Sequence, residues 1–109
     1  MSEAARSYRL TQETRDGTLV VRAGGKFDRD AGLAVEDLLG PDATRYVINL
    51  SQVEYISSSG IAYLVKLASS RGLRLAAPAE CVRHAFGLAG IERILTLHPD
   101  EASAERGDD

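Results

Sequence analysis

The chain has 109 residues, enough for one hydrophobic core and too few for two, and its 44% apolar and 27% charged residues exclude a disordered or fibrous protein. No apolar run approaches the roughly 20 residues that span a bilayer, and Met1 to Arg6 lacks the basic-then-apolar order of a secretory signal, so a cytoplasmic protein without membrane insertion is expected. The net charge of −3 is uneven: Asp100, Glu101, Glu105, Asp108 and Asp109 against Arg106 place −4 in the last ten residues and leave the body near +1, without the basic cluster that a nucleic-acid surface needs.

Taken in order, Tyr8 to Thr14 alternates Tyr8, Leu10 and Gln12 on one face, and Asp16-Gly17 is a turn signal. Thr18 to Ala23 follows with Leu19, Val21 and Ala23 on one side, which completes a hairpin. Gly24-Gly25 is expected to break the second strand, and Lys26-Phe27-Asp28 to form a loop. Ala31, Ala34, Val35 and Leu38 have helical spacing, and Gly40-Pro41 ends that helix.

Arg45 to Leu50 carries Tyr46-Val47-Ile48, apolar on successive positions as a strand covered on both faces requires. From Ser58 or Ser59 to about Ser70, Ile61, Leu64, Val65 and Ala68 form one apolar stripe of a second helix, closed by Arg71-Gly72. Leu73 to Ala77 reads as a short strand, with Pro78 as the first residue of a third helix. Cys81, Val82, Ala85 and Phe86 supply the buried side of that helix, and Ile94 to Leu97 reads as a last strand. Past Pro99 a frayed helical turn and a disordered tail are expected. The predicted organisation is an N-terminal extension (1–7), one domain (8–98) and an acidic tail (99–109).

Strand-helix-strand crossovers are right-handed and give parallel neighbours. The fold class is therefore α/β, with a mixed sheet of about five strands, mostly parallel with an antiparallel N-terminal edge strand, and three to four helices.

Enzymatic fingerprints are missing: there is no phosphate loop, no dinucleotide glycine pattern and no nucleophile elbow. His84 and His98 lie in different elements, without a Cys or second His at metal-ligand spacing, and both read as surface histidines. The lone Cys81 reads as a buried thiol. No enzyme, cofactor or metal is expected.

The unusual stretch is Tyr55-Ile56-Ser57-Ser58-Ser59-Gly60-Ile61, three serines and a glycine before an amphipathic helix. One serine is explained as an N-cap, and three exceed that need. A helix N-terminus at the carboxyl end of a parallel strand also favours an anion. Phosphorylating one of these hydroxyls would bring roughly 1.5 to 2 negative charges to the surface.

Val47-Ile48-Asn49-Leu50, followed by Tyr55-Ile56-Ser57-Ser58-Ser59-Gly60-Ile61, resembles the signature of bacterial anti-sigma factor antagonists of the STAS domain family. There a strand of the type V-[IL]-[DN]-L leads to Asp-Ser-[ST]-Gly-Leu. Leu19 to Arg22 with Gly25-Lys26-Phe27-Asp28 is similar to the family's second strand and G-x-[LF]-D loop, and Pro78 to Ile91 to its third helix.

The resemblance implies an anti-sigma factor antagonist that binds an anti-sigma factor, itself a serine kinase with bound nucleotide, while Ser58 is unphosphorylated. Phosphorylation of Ser58 ends that binding and a PP2C-type phosphatase reverses it. It also implies a partner-binding surface of Phe27, Asp28, Ser57, Ser59, Gly60 and Ile61. Two positions depart from the pattern: Ser57 replaces the Asp, and Lys26 stands where an acidic residue is common. The alternative is a STAS docking module that is not phosphorylated, either a signalling scaffold or the cytosolic subunit of a transporter.

Overall fold

The computed structural model describes residues 7–41, 43–91 and 95–106. Asp16 and Gly17 both take positive φ, 50° and 82°, the mirror-image turn that matches strand twist. They fold β1 (Tyr8–Arg15) back antiparallel onto β2 (Thr18–Phe27). The chain continues through α1 (Arg29–Leu38), β3 (Arg45–Ile56), α2 (Ser58–Arg71), β4 (Leu73–Ala76), α3 (Glu80–Ala89), β5 (Leu97–His98) and α4 (Glu101–Arg106). The sheet order is β1-β2-β3-β4-β5, with every pair after the first parallel.

Gly24-Gly25 does not end β2. The strand bulges there, with Gly25 at φ 79° and the register against β3 shifting on either side of the pair. Beyond the bulge Lys26 faces Tyr55 and Phe27 faces Ile56. The expected Lys26-Phe27-Asp28 loop is therefore strand up to Phe27, and β3 runs six residues past Leu50 because it has a partner to pair with. Pro78 also sits earlier than expected. Ala77 turns the chain at φ 50°, the Ala79 N–H donates to the Leu50 carbonyl at 3.2 Å, and the helix begins at Glu80. The Ile94 end of the expected last strand lies outside the described residues.

Alternation along the strands splits the interior in two. Leu19, Val21, Tyr46, Ile48, Leu50 and Leu75 point to the face covered by α1, α2 and α3, where Val35, Leu64, Leu67, Val82 and Phe86 complete the main core. The buried line of α2 is Gly60, Leu64 and Leu67, with Ile61, Val65 and Ala68 half-buried beside it, so the expected stripe is centred one flank away. Cys81 is half-buried, its thiol against the Val53 carbonyl at 3.4 Å.

The opposite face holds Val20, Val47 and Ala76, covered by Ala104 of α4. The segment expected to be a frayed turn is thus a packed helix. Its acidic residues are latched to the sheet: Arg22 makes a two-pronged contact with Glu101 (2.8 and 3.0 Å), Asn49 donates to the same carboxylate at 2.7 Å, and Arg15 reaches Glu101 and Glu105 at 3.0 and 2.6 Å. Arg74 donates to the Ala104 carbonyl at 3.0 Å, and Arg45 to that of Glu105. His98, expected at the surface, is only 5% exposed, because its neighbour across the ladder is Ala76, on the face that α4 covers.

Hydrogen bonding from Arg22, with further help from Asn49 and Arg15, holds the Glu101 carboxyl at about 2, against partial burial that acts the other way. A folded pKa below the unfolded value of 4.5 means stability that is full above pH 4.5 and is lost as pH falls toward 2. Solvent at the rim screens the pair, so about 1–2 kcal/mol is expected to disappear over that window. Urea titrations at pH 6 and pH 3 should show the larger part of that loss in the wild type, and a smaller one in Glu101→Gln.

Candidate functional site at the start of the second helix

The site is built by two neighbouring strand-to-helix turns. Because β2 and β3 are parallel and end in register at Phe27 and Ile56, the next residues, Asp28 and Ser57, stand side by side at the carboxyl edge of the sheet. Each caps a helix. The Asp28 carboxylate accepts from the Ala31 N–H at 3.1 Å at the start of α1, and the Ser57 hydroxyl accepts from the Gly60 N–H at 3.0 Å at the start of α2.

A backbone bond locks the turns together, from the Ser57 N–H to the Phe27 carbonyl at 3.0 Å. Gly60 presses onto that carbonyl: a Cβ at position 60 would lie 2.3 Å from the Phe27 oxygen. Phe27 is 1% exposed and Gly60 is buried, so neither offers a side chain to a partner. Their place is beneath the serines, as the floor that fixes them. Asp28 and Ser57 are half-buried, Ile61 is half-buried, and Ser58 and Ser59 are exposed.

Ser58 is the first helical residue and Ser59 the second, so their backbone N–H groups precede the intrahelical ladder. With Gly60's N–H committed to Ser57, these two donors lie on exposed residues at the positive end of a 14-residue helix whose first turn holds no acidic residue. An anion on the Ser58 hydroxyl would meet no like charge from its own helix turn. No hydrogen bond joins either histidine to Ser58 among the described residues: His84 is exposed on α3, and His98 is buried on the α4 face.

Tyr55, outside the expected partner-binding set, is a further surface feature beside the serines. Its ring is 53% exposed at the end of β3, and the Lys26 ammonium lies 5.8 Å from its centre. The signal is a large aromatic at an outward strand position three residues before Ser58. It adds an apolar, cation-flanked shoulder to the serine turn.

Replacing Ser57 by alanine removes the α2 cap and leaves the Gly60 N–H without its acceptor. The expected cost is about 1 kcal/mol, read from chemical denaturation, with Ser57→Asp retaining the wild-type midpoint.

Comparison with known proteins bears on this geometry. The family model described as Mlab, STAS domain, matches residues 10–97. The chain belongs to the STAS domain family. Among solved structures, this STAS domain is similar to an anti-sigma factor antagonist from Mycobacterium paratuberculosis, with 24% identity and a TM-score of 0.80 over 93% of each chain. It is also similar to the Bacillus cell fate determinant SpoIIAA in its phosphorylated form, with 17% identity and a TM-score of 0.62 over 91% of this chain and 99% of the other. A third likeness is to a sulfate transporter family protein from Wolinella succinogenes, at 18% identity and a TM-score of 0.67 over 84% of each chain. At these identities the three establish the shared STAS fold. No curated protein matches the chain. No helix among the described residues is long and apolar enough to cross a membrane.

Proposed function

We propose that this STAS domain is an anti-sigma factor antagonist working by partner switching in the cytoplasm. Unphosphorylated, it binds an anti-sigma factor that is a serine kinase with bound nucleotide. Transfer of phosphate to Ser58 ends that binding, and a PP2C-type phosphatase restores it. The observation that carries the reading is the position of Ser58: exposed, first in its helix, on a turn pinned from below by Phe27 and Gly60. The domain's part is that of a binding protein and phosphoacceptor.

Asp28, Ser59, Ile61 and Tyr55 form the surface that the partner meets, while Ser57 caps and Phe27 with Gly60 supports. Phosphate at position 58 changes charge and shape in the middle of that surface without disturbing the core. Incubation with the partner kinase, ATP and magnesium should add one phosphate, mapped to Ser58 by mass spectrometry, and Ser58→Ala should take up none. Labelling undiminished in Ser58→Ala would falsify the assignment.

A second reading, a STAS docking module in a transporter assembly, is favoured by two observations. Ser57 removes the carboxylate beside the phosphoacceptor, and a sulfate transporter family protein is among the structural neighbours. That reading expects no kinase-dependent labelling and co-purification with membrane transporter subunits.

A further inference from the structure

The sequence holds two lysines, and each lies against a tyrosine ring. Between α1 and α2 the arrangement is complete: the Lys66 ammonium is 4.8 Å from the centre of the Tyr63 ring and 3.6 Å from the Glu36 carboxylate. The ring offers an electron-rich face, and the acid supplies the opposite charge. Beside the serine turn the same group lacks its acid. Lys26 lies 5.8 Å from the Tyr55 ring centre, and no carboxylate is within ion-pair distance of it among the described residues.

The register of the sheet withholds that acid. Gly25 pairs with Val53, so an unbroken ladder would set Lys26 opposite Glu54. The shift between Gly25 and Lys26 passes over Glu54 and pairs Lys26 with Tyr55 instead. From the other side, the Lys26 N–H donates to the Ser7 carbonyl at 2.8 Å and holds the strand in that place. Arg15 and Arg22, on the same two strands of the first hairpin, are engaged with Glu101. Lys26 and Tyr55 both stay exposed.

Their position joins them to the serines. Across β2 and β3 the rows run Lys26 with Tyr55, then Phe27 with Ile56, then the two caps Asp28 and Ser57. Two residues of strand span roughly 7 Å. One side of an ordinary protein interface, about 800 Å², reaches roughly 16 Å from its centre. A partner centred on Ser58 therefore also meets Lys26.

We propose that Lys26, seated on Tyr55, is the charge-recognition contact of this surface: the serine kinase that binds the domain presents an Asp or Glu side chain there. That acid completes across the interface the group that Glu36 completes within the chain. The contact presupposes that the domain is an anti-sigma factor antagonist and adds the chemistry of its partner. Covering the pair removes water and strengthens the attraction. A kinase with an apolar or basic group at that point would leave the ammonium covered without a counter-charge, so the same contact discriminates between kinases.

Surface plasmon resonance against the kinase that labels Ser58, run over a salt series, tests this. Wild-type affinity should fall as salt rises. Lys26→Glu should bind about thirtyfold more weakly, and Lys26→Gln about tenfold with a flatter salt dependence, while Lys26→Arg keeps most of the affinity. Melting temperatures should stay level, because the side chain is exposed. Unchanged or tighter binding by Lys26→Glu overturns the contact and leaves the antagonist reading standing. Should Lys26→Glu disturb the strand end, undiminished affinity in Lys26→Gln overturns it equally. If no kinase binds or labels the wild type, the antagonist reading itself falls and the contact falls with it.

Discussion

Gly60→Ala is expected to lower stability by about 3 kcal/mol and the melting temperature by more than about 10 °C. The added methyl would sit 2.3 Å from the Phe27 oxygen and 3.0 Å from its carbonyl carbon. These are backbone atoms, so no rotamer change relieves the overlap. Nor can the carbonyl swing away, since it accepts the Ser57 N–H, and Phe27 pairs with Ile56 in the sheet with its ring buried. Either α2 slides off β2, parting the Ser57 cap from the end of the strand, or the strand distorts. Gly40→Ala is the internal comparison: nothing lies within 4 Å of a Cβ there, so a small change is expected. Thermal melts of the two variants should separate a close-approach glycine from a merely loop-bound one.

The second large effect falls on binding and leaves the fold alone. Ser58→Asp should weaken association with the partner kinase about a hundredfold, close to 3 kcal/mol, because a second carboxylate is placed and desolvated at the centre of a surface that already carries Asp28. The same substitution puts a negative charge in the first turn of α2, where the helix dipole favours it, so the melting temperature should stay level or rise slightly. Calorimetry or surface plasmon resonance, run beside a thermal melt, reads both. Lost binding with an intact melt is the signature of a local electrostatic switch. Unchanged affinity removes the charge argument and leaves the docking-module reading.

The serine turn is legible in the sequence because its causes are local. An N-cap hydroxyl, a glycine at the third helical position and an apolar stripe from Ile61 onward lie within one window, and the structure starts α2 where they indicate. What is not legible is the reason for Gly60. Its neighbour is a carbonyl more than thirty residues away, brought there by the pairing of β2 with β3. The reading of Gly24-Gly25 as a strand break fails for a related cause. Glycine weakens a strand that stands alone, whereas here a parallel partner on one side and β1 on the other hold the bulged segment in the sheet. The C-terminal segment is misread because five acids in ten residues resemble a solvated tail. The arginines that answer Glu101 and Glu105, namely Arg15 and Arg22, sit in the first hairpin and share no window with those two acids. His98 follows from the same blindness, since burial on the second face depends on a helix that local sequence does not announce.

The latch between Glu101 and the first hairpin also bears on the order of assembly during synthesis. Arg15 and Arg22 leave the ribosome more than seventy residues before the carboxylate that joins them. The strands and the three helices on the main face can close around their own core first. Over Val20, Val47 and Ala76 the nascent sheet stays uncovered until α4 emerges and docks last, spanning the longest sequence separation among these contacts. A chain whose strands have cleared the ribosome while α4 has not would therefore display a folded sheet with one apolar strip ringed by guanidinium groups. In that interval the nascent chain is at its stickiest.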